Sequence, residues 1–235
     1  GMRVVLPRVF AEPLQFDTAT GRVRWTREDN AWRFAFDEVR FATPHTSGTA
    51  SGAWRSQGQG PGILDLKATL TRAEAQHLYR YLPLTLDTQL RDWLRLGVKA
   101  GTATEVKLAL AGDLSRFPFA NAKIGTLQAS FKVSDATLDY AEGWPEMSGI
   151  EAVVRFDGAG LFVDGYRGRV FGATIGPLTV SIPDLGAEFP QLMLNVEAAG
   201  PTQDFLRFIE KSPVGEWTGH VAAGAQATGD GHLAL

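Results

Sequence analysis

The side chains that could do chemistry are sparse in this 235-residue chain, which holds four histidines and no cysteine. His45, His77, His220 and His232 show no HExxH pattern, and no two share metal-ligand spacing on one helix. His77 falls beside the apolar stripe of a predicted helix, where a boundary histidine is the plainer reading than a ligand. His220 and His232 lie in a glycine-rich stretch and could meet in space, although nothing in their spacing demands it. The lack of cysteine excludes disulfides, thiol catalysis and thiolate metal sites. Asp135 with Asp139, and Glu142 with Glu146, are paired carboxylates of the kind that serve as acid and base in glycoside cleavage. Here they flank a short strand and read as turn and solvent-face residues. Gly58-Gln59-Gly60-Pro61-Gly62 is not followed by Lys-Ser or Lys-Thr on a helix, so it reads as a loop and not a phosphate cradle. There is no GxSxG elbow. No catalytic residue, no metal and no cofactor is therefore expected, and an enzyme of the carbohydrate-active β-sandwich type ranks last among the readings.

The bulk numbers point to a folded chain. Hydrophobic residues make up 44% and charged residues 21%, which is ordinary for a packed protein. The net charge is −3, with no basic block for nucleic acid and no polybasic run for an anionic membrane. No apolar run approaches the ~20 residues that span a bilayer, and no signal peptide is visible. Gly1-Met2 reads as a cloning remnant, and Gly231 to Leu235 stops inside a strand-like run. The expectation is a piece of a longer protein, with any membrane anchor outside it.

The elements that must position these residues are mostly strands. Period-two alternation marks strands with one buried face. It is carried by Trp32, Phe34 and Phe36; by Leu64, Leu66, Ala68 and Leu70; by Val106, Leu108 and Leu110; and by Leu127, Ala129, Phe131 and Val133. Leu178, Val180 and Ile182, then Leu192 to Ala198, continue it. Asp157-Gly158-Ala159-Gly160 reads as a hairpin loop. Three helices are predicted. The first, over about 71–83, opens on a capping box of Thr71 and Glu74, carries Ala75, Leu78, Tyr79 and Leu82 on one face, and stops at Pro83. The second, over about 87–97, has Asp87 as N-cap, Leu90, Trp93 and Leu94 as its stripe, and Gly97 as its stop. The third, over about 201–212, begins near Pro201 and ends at Pro213.

Leu64 to Pro83 and Leu194 to Pro213 match in kind without a gap: apolar strand, cap, amphipathic helix, proline. This repetition predicts two related units, 1–100 with two helices and 101–235 with one, or else one continuous elongated domain. In the second unit the chain passes from Pro213 almost directly to its last strand.

These residues also carry a family resemblance. The run YLP…LRDWL…G…LALAGDLSRFPF, the phrase ATLDYAEGWPEMSGI at Ala136 to Ile150, and DFLRFIEKSP at Asp204 to Pro213 resemble the YhdP family of the AsmA-like superfamily. The resemblance implies a bacterial envelope protein, anchored in the inner membrane and extending through the periplasm, that assists phospholipid movement toward the outer membrane. The wider superfamily is similar to bridge-like lipid transfer proteins, whose repeated β modules form a long trough. It implies no catalytic residues.

The physics of an apolar sheet face leads toward the same place. About a dozen strands carry such faces and three short helices cannot cover them all. The sheet must either fold on itself as a sandwich or curl into an open trough whose lining holds apolar cargo. Acyl chains suit that lining, because each CH₂ removed from water is worth roughly 0.8 kcal/mol. The expected fold is thus mainly β with a few short helices, a long twisted antiparallel sheet curled into a trough. Phe34, Phe36, Leu108, Leu110, Phe131, Val133, Leu178 and Val180 are expected to line it, with phospholipid acyl chains as partners. The alternative is a structural or docking module of the envelope that binds other proteins at its sheet edges.

Overall fold

A computed structural model describes residues 1–7, 9–84, 86, 88–117, 119 and 123–235. Two short strands, β1 (Met2–Val4) and β2 (Leu14–Phe16), pair with each other at the start. The rest of the β structure is one sheet of 11 strands. Its first half contains β3 (Thr18–Glu28), β4 (Ala31–Ala42), β5 (Thr46–Arg55), β6 (Ile63–Glu74) and β7 (Val98–Asp113). Its second half contains β8 (Gly125–Leu138), β9 (Met147–Asp157), β10 (Gly160–Val170), β11 (Ala173–Ile182), β12 (Met193–Pro201) and β13 (Asp230–Ala234). Spatial order follows chain order from β3 to β13, and every neighbouring pair is antiparallel. The sheet does not close: β3 and β13 are its two edges. β3 is exposed along its whole length and carries Arg22, Arg24 and Arg27, charges that discourage indiscriminate pairing at such an edge.

The expected hairpin is present. Asp157 pairs with Gly160, and Gly158 takes the left-handed conformation (φ +56°) that the tight connection requires.

Among the described residues helical segments interrupt this meander between neighbouring strands at three places, the smallest a 3-10 turn, Leu114–Arg116, between β7 and β8. Between β6 and β7 lie a 3-10 helix, Ala75–Tyr81, and α1 (Thr88–Gly97). Between β12 and β13 lie α2 (Thr202–Glu210) and α3 (Pro213–Trp217). Two sequence expectations need correction here. The first helix does not open on a capping box at Thr71. β6 continues through Glu74, Ala73 pairs with Thr46 and Glu74 with Thr102, and the Thr71 hydroxyl bonds to Ser47. Ladder hydrogen bonds on both sides outweigh one local cap. They leave only seven residues before Leu82, which Pro83 holds extended, and so short a run forms 3-10 turns. Second, Pro213 does not return the chain directly to a strand. It opens α3 as a first-turn residue, where its missing N–H costs nothing, with Ser212 extended before it. Gly97 ends the second helix as expected. It is the buried last residue of α1, and a Cβ there would come within 2.7 Å of the Asp139 carbonyl oxygen. The proposed N-cap, Asp87, lies outside the described residues.

Very little of the molecule is sealed. Its accessible surface is 14696 Å², whereas a compact monomer of 25.5 kDa exposes roughly 10,400 Å². Phe119 is the one large side chain that is fully buried among the described residues. It lies over Gly112 and Gly125, where a Cβ would meet its ring at 2.7 Å and 2.5 Å. The other buried apolar side chains are mostly alanines, including Ala103, Ala136, Ala152, Ala173 and Ala198.

Two outcomes are expected from this packing. Phe119→Ala should lower stability by about 3–5 kcal/mol, as for any fully buried aromatic ring, read as a shifted urea midpoint. Gly97→Ala should cost about 1–3 kcal/mol by pushing α1 off the Asp139 carbonyl, and calorimetry should show the lowered Tm.

Candidate functional site

Residues directly opposite in an antiparallel ladder project to the same face, so register fixes which side chains share a surface. One row runs Val23, Phe36, Gly52, Leu66, Leu110, Leu127. The next runs Val39, Ala50, Ala68, Leu108, Ala129, Phe156, Leu161, Ile182. A third runs Phe131, Val154, Val163, Val180, Leu194, and a fourth Ala103, Val133, Ala152, Gly165, Leu178, Val196. Phe34 stands with Trp25, Trp54 and Leu64 in a further row. All eight residues named from the sequence therefore share one face across β4 to β11. None of them is buried: Phe34 is exposed and the other seven are half-buried. The face is an apolar band about as wide as the sheet, with strand after strand adding an aliphatic or aromatic side chain.

The two margins of that band differ. At the ends of the strands nearest the helices, small residues let backbone approach closely. The Phe205 ring of α2 reaches the sheet at Gly231, 3.3 Å from where a Cβ would stand. At the opposite ends aromatic rings gather. Trp32 stacks on Phe34 (6.2 Å between centroids), Phe34 tilts against Trp54 (5.9 Å), and Phe117 meets Phe119 edge-on (5.7 Å). The Trp54 indole N–H donates to the Pro61 carbonyl in the glycine-rich loop.

The other face is polar. Cross-strand ion pairs join Arg24 to Asp37 (2.7 Å), Lys132 to Glu105 (2.7 Å) and Arg155 to Asp164 (3.0 Å). An open hollow of about 940 Å³ lies on this side, walled by Thr49, Lys67, Lys107, Ser130, Arg155 and their neighbours. Of the eight named residues only Leu108 borders it, together with Ala50, Ala68, Ala129 and Phe156 of the same apolar row.

The structure also assembles a cluster that sequence spacing hides. The pairing of Thr46 with Ala73 brings His45 beside Glu74, whose backbone N–H donates to the His45 carbonyl. The 3-10 helix then turns His77 back onto both. Glu74 Oε2 lies 3.4 Å from His45 Nδ1 and 3.6 Å from His77 Nε2. The two imidazoles are 3.6 Å apart between centroids. Arg72 donates to the other carboxylate oxygen at 2.7 Å. Arg80 Nη1 stands 3.4 Å from His45 Nε2, and its Nε lies 3.3 Å from a Glu12 carboxylate oxygen. Burial, then the positive charges of His45 and Arg80, hold the His77 pKa below its ordinary value. The Nδ1 atom of His77 and Oε1 of Gln76 are buried without a hydrogen-bond partner. His45 and His77 lie far apart in sequence, and only the strand register could have signalled their meeting. His232 instead stands 4.0 Å from Glu197. Of the paired carboxylates, Asp139 faces Lys99 at 3.7 Å and Asp135 marks a β-bulge.

A second grouping missed from sequence is aromatic. Trp144 contacts Tyr140, Phe208 and Trp217, with centroids 5.8 to 6.0 Å away, and Arg207 lies 4.2 Å above the Phe171 ring. It ties the loop after β8 to α2 and α3.

Among the described residues no helix is long and apolar enough to cross a membrane. No solved structure matches the chain. It is 21% identical over 225 residues to a protein described as the intermembrane phospholipid transporter YhdP of Escherichia coli (strain K12). That alignment takes in 94% of this chain and 17% of the relative, so the chain spans about one-sixth of that protein's length. The family model described as YhdP protein matches residues 1–235, from the first residue to the last, and the chain therefore belongs to the YhdP family.

Proposed function

We propose that this chain is a segment of an envelope protein that assists phospholipid transport between the inner and outer membranes, and that the apolar face of its sheet holds the acyl chains. The observation that carries the reading is the continuous, half-exposed apolar band running from Phe34 and Phe36 through Leu108, Leu110, Phe131 and Val133 to Leu178 and Val180. Water in contact with such a band is costly, and a hydrocarbon tail laid along it recovers roughly 25 cal/mol for each Å² covered. No bond is made or broken, so the task needs no catalytic group. The family and the name borne by the relative support the same cargo. On this reading the segment lies in the periplasm and its membrane anchor lies elsewhere in the protein.

We further propose that the chain holds two copies of one unit, 1–100 and 101–235. In each, a strand is followed by two helical segments, after β6 in the first and β12 in the second; the antiparallel return strand is β13 in the second, while β7 starts at Val98 and runs on from the first unit into the second. The stacking of such units would lengthen the apolar path without altering its cross-section.

A docking module is the competing reading, favoured by the wholly exposed edge strand β3. One experiment separates the two. Organic extracts of the purified chain should contain phospholipid by mass spectrometry. Leu108→Glu combined with Phe131→Glu should abolish that signal while leaving the β-type circular dichroism spectrum intact. A chain that never carries lipid, or a variant that carries as much as the parent, sinks the lipid reading and leaves the docking one.

A further inference from the structure

We propose that His45, Glu74 and His77 form a binding site for a divalent transition-metal ion, with Zn²⁺ the best fit to the donors. One donor atom from each of the three lies within 4.8 Å of the others. Two of the separations, 3.4 Å and 3.6 Å from the shared Glu74 Oε2, come close to the edge of a tetrahedron with metal bonds of about 2.0–2.1 Å, which is about 3.3 Å. Two imidazoles and one carboxylate are borderline donors that suit zinc and its neighbours better than Mg²⁺ or Ca²⁺, which prefer all-oxygen shells. Three protein ligands leave a fourth position for water. The side chains are 21%, 22% and 27% exposed, sheltered yet open to an entering ion.

Neighbouring groups bear on how the three donors are oriented. Arg72 grips Glu74 through Oε1 alone, which steers Oε2 toward the histidines, the part an outer partner plays around a metal ligand. With a metal on its Nε2, His77 would carry its proton on Nδ1, which is buried without a partner and would need an acceptor such as a water there. The two rings are tilted, with planes 30° apart. Loading turns them so that their in-plane lone pairs converge. Arg80 opposes this, because a metal on His45 Nδ1 puts a proton on Nε2, which faces the guanidinium at 3.4 Å. Glu12 offers Arg80 an alternative partner at 3.3 Å. An ion held here would clamp the 3-10 helix to the corner where β5 and β6 meet.

The test is a calorimetric titration of Zn²⁺ into the untagged 235-residue chain, with Mg²⁺ as control and Co²⁺ as an optical probe. The expected result is one Zn²⁺ per chain, no Mg²⁺ heat, and the visible bands of four-coordinate Co²⁺. Removing a ligand by His77→Ala or Glu74→Gln should weaken binding more than about 100-fold, and removing the outer partner by Arg72→Ala about 10- to 100-fold. Arg80→Ala should do the opposite and tighten it. The imidazole NMR signals of His45 and His77 in the unaltered chain should shift together on Zn²⁺ addition, a readout that does not depend on any variant folding. Failure to bind Zn²⁺, binding that survives His45→Ala with His77→Ala, or shifts confined to His220 and His232 would overturn the assignment.

Discussion

Ten successive hydrogen-bonded ladders hold this molecule together, and nearly everything else follows from them. Each inner strand satisfies its backbone on both sides from the strands next to it in the chain. Backbone polar groups, costly to leave unpaired, are thereby answered locally and without a surrounding core. That is how a chain can remain folded with one large side chain wholly out of water. The apolar face is a by-product of the same arrangement: register aligns it, and the absence of a second layer leaves it open.

The ladders also explain which parts of the fold were legible in the sequence. β4, β6, β7, β8 and β11 announce themselves because one face of each is apolar and the other polar, so period two is written in residue type. β5 is quieter. Its apolar-face positions include Gly48, Ala50 and Gly52, which pair with Leu70, Ala68 and Leu66, so the neighbouring strands fill the space that β5 leaves. The helices were the weaker part of the reading. Thr71 and Glu74 form a good capping pattern locally, but long-range pairing with β5 and β7 claims both residues for the sheet. Pro213 is ambiguous by nature, a stop for one helix and a start for the next.

The same contrast holds for the candidate sites. The eight apolar positions could be named from alternation alone, since parity within a strand decides the face and the pairing only links the strands. The His45–Glu74–His77 cluster could not. It depends on which residue of β6 stands opposite the start of β5, and on a helical turn being 3-10 rather than α. Its side chains come from two places in the chain, His45 and the pair Glu74 and His77 three residues apart, and no spacing links the first to the second. The aromatic group around Trp144 was hidden for the same reason, because its rings come from a loop and two helices that only the finished sheet brings side by side.

The strictly sequential order from β3 to β13 has a consequence for size. Each added strand widens the body by about 4.8 Å, so the ten steps here span roughly 48 Å. Insertion or loss of a hairpin would change that reach in increments of about 10 Å while changing the neighbours of only the two strands that flank it. A body made this way behaves as a ruler: its length can be tuned over generations, two strands at a time, with little redesign of what lies on either side.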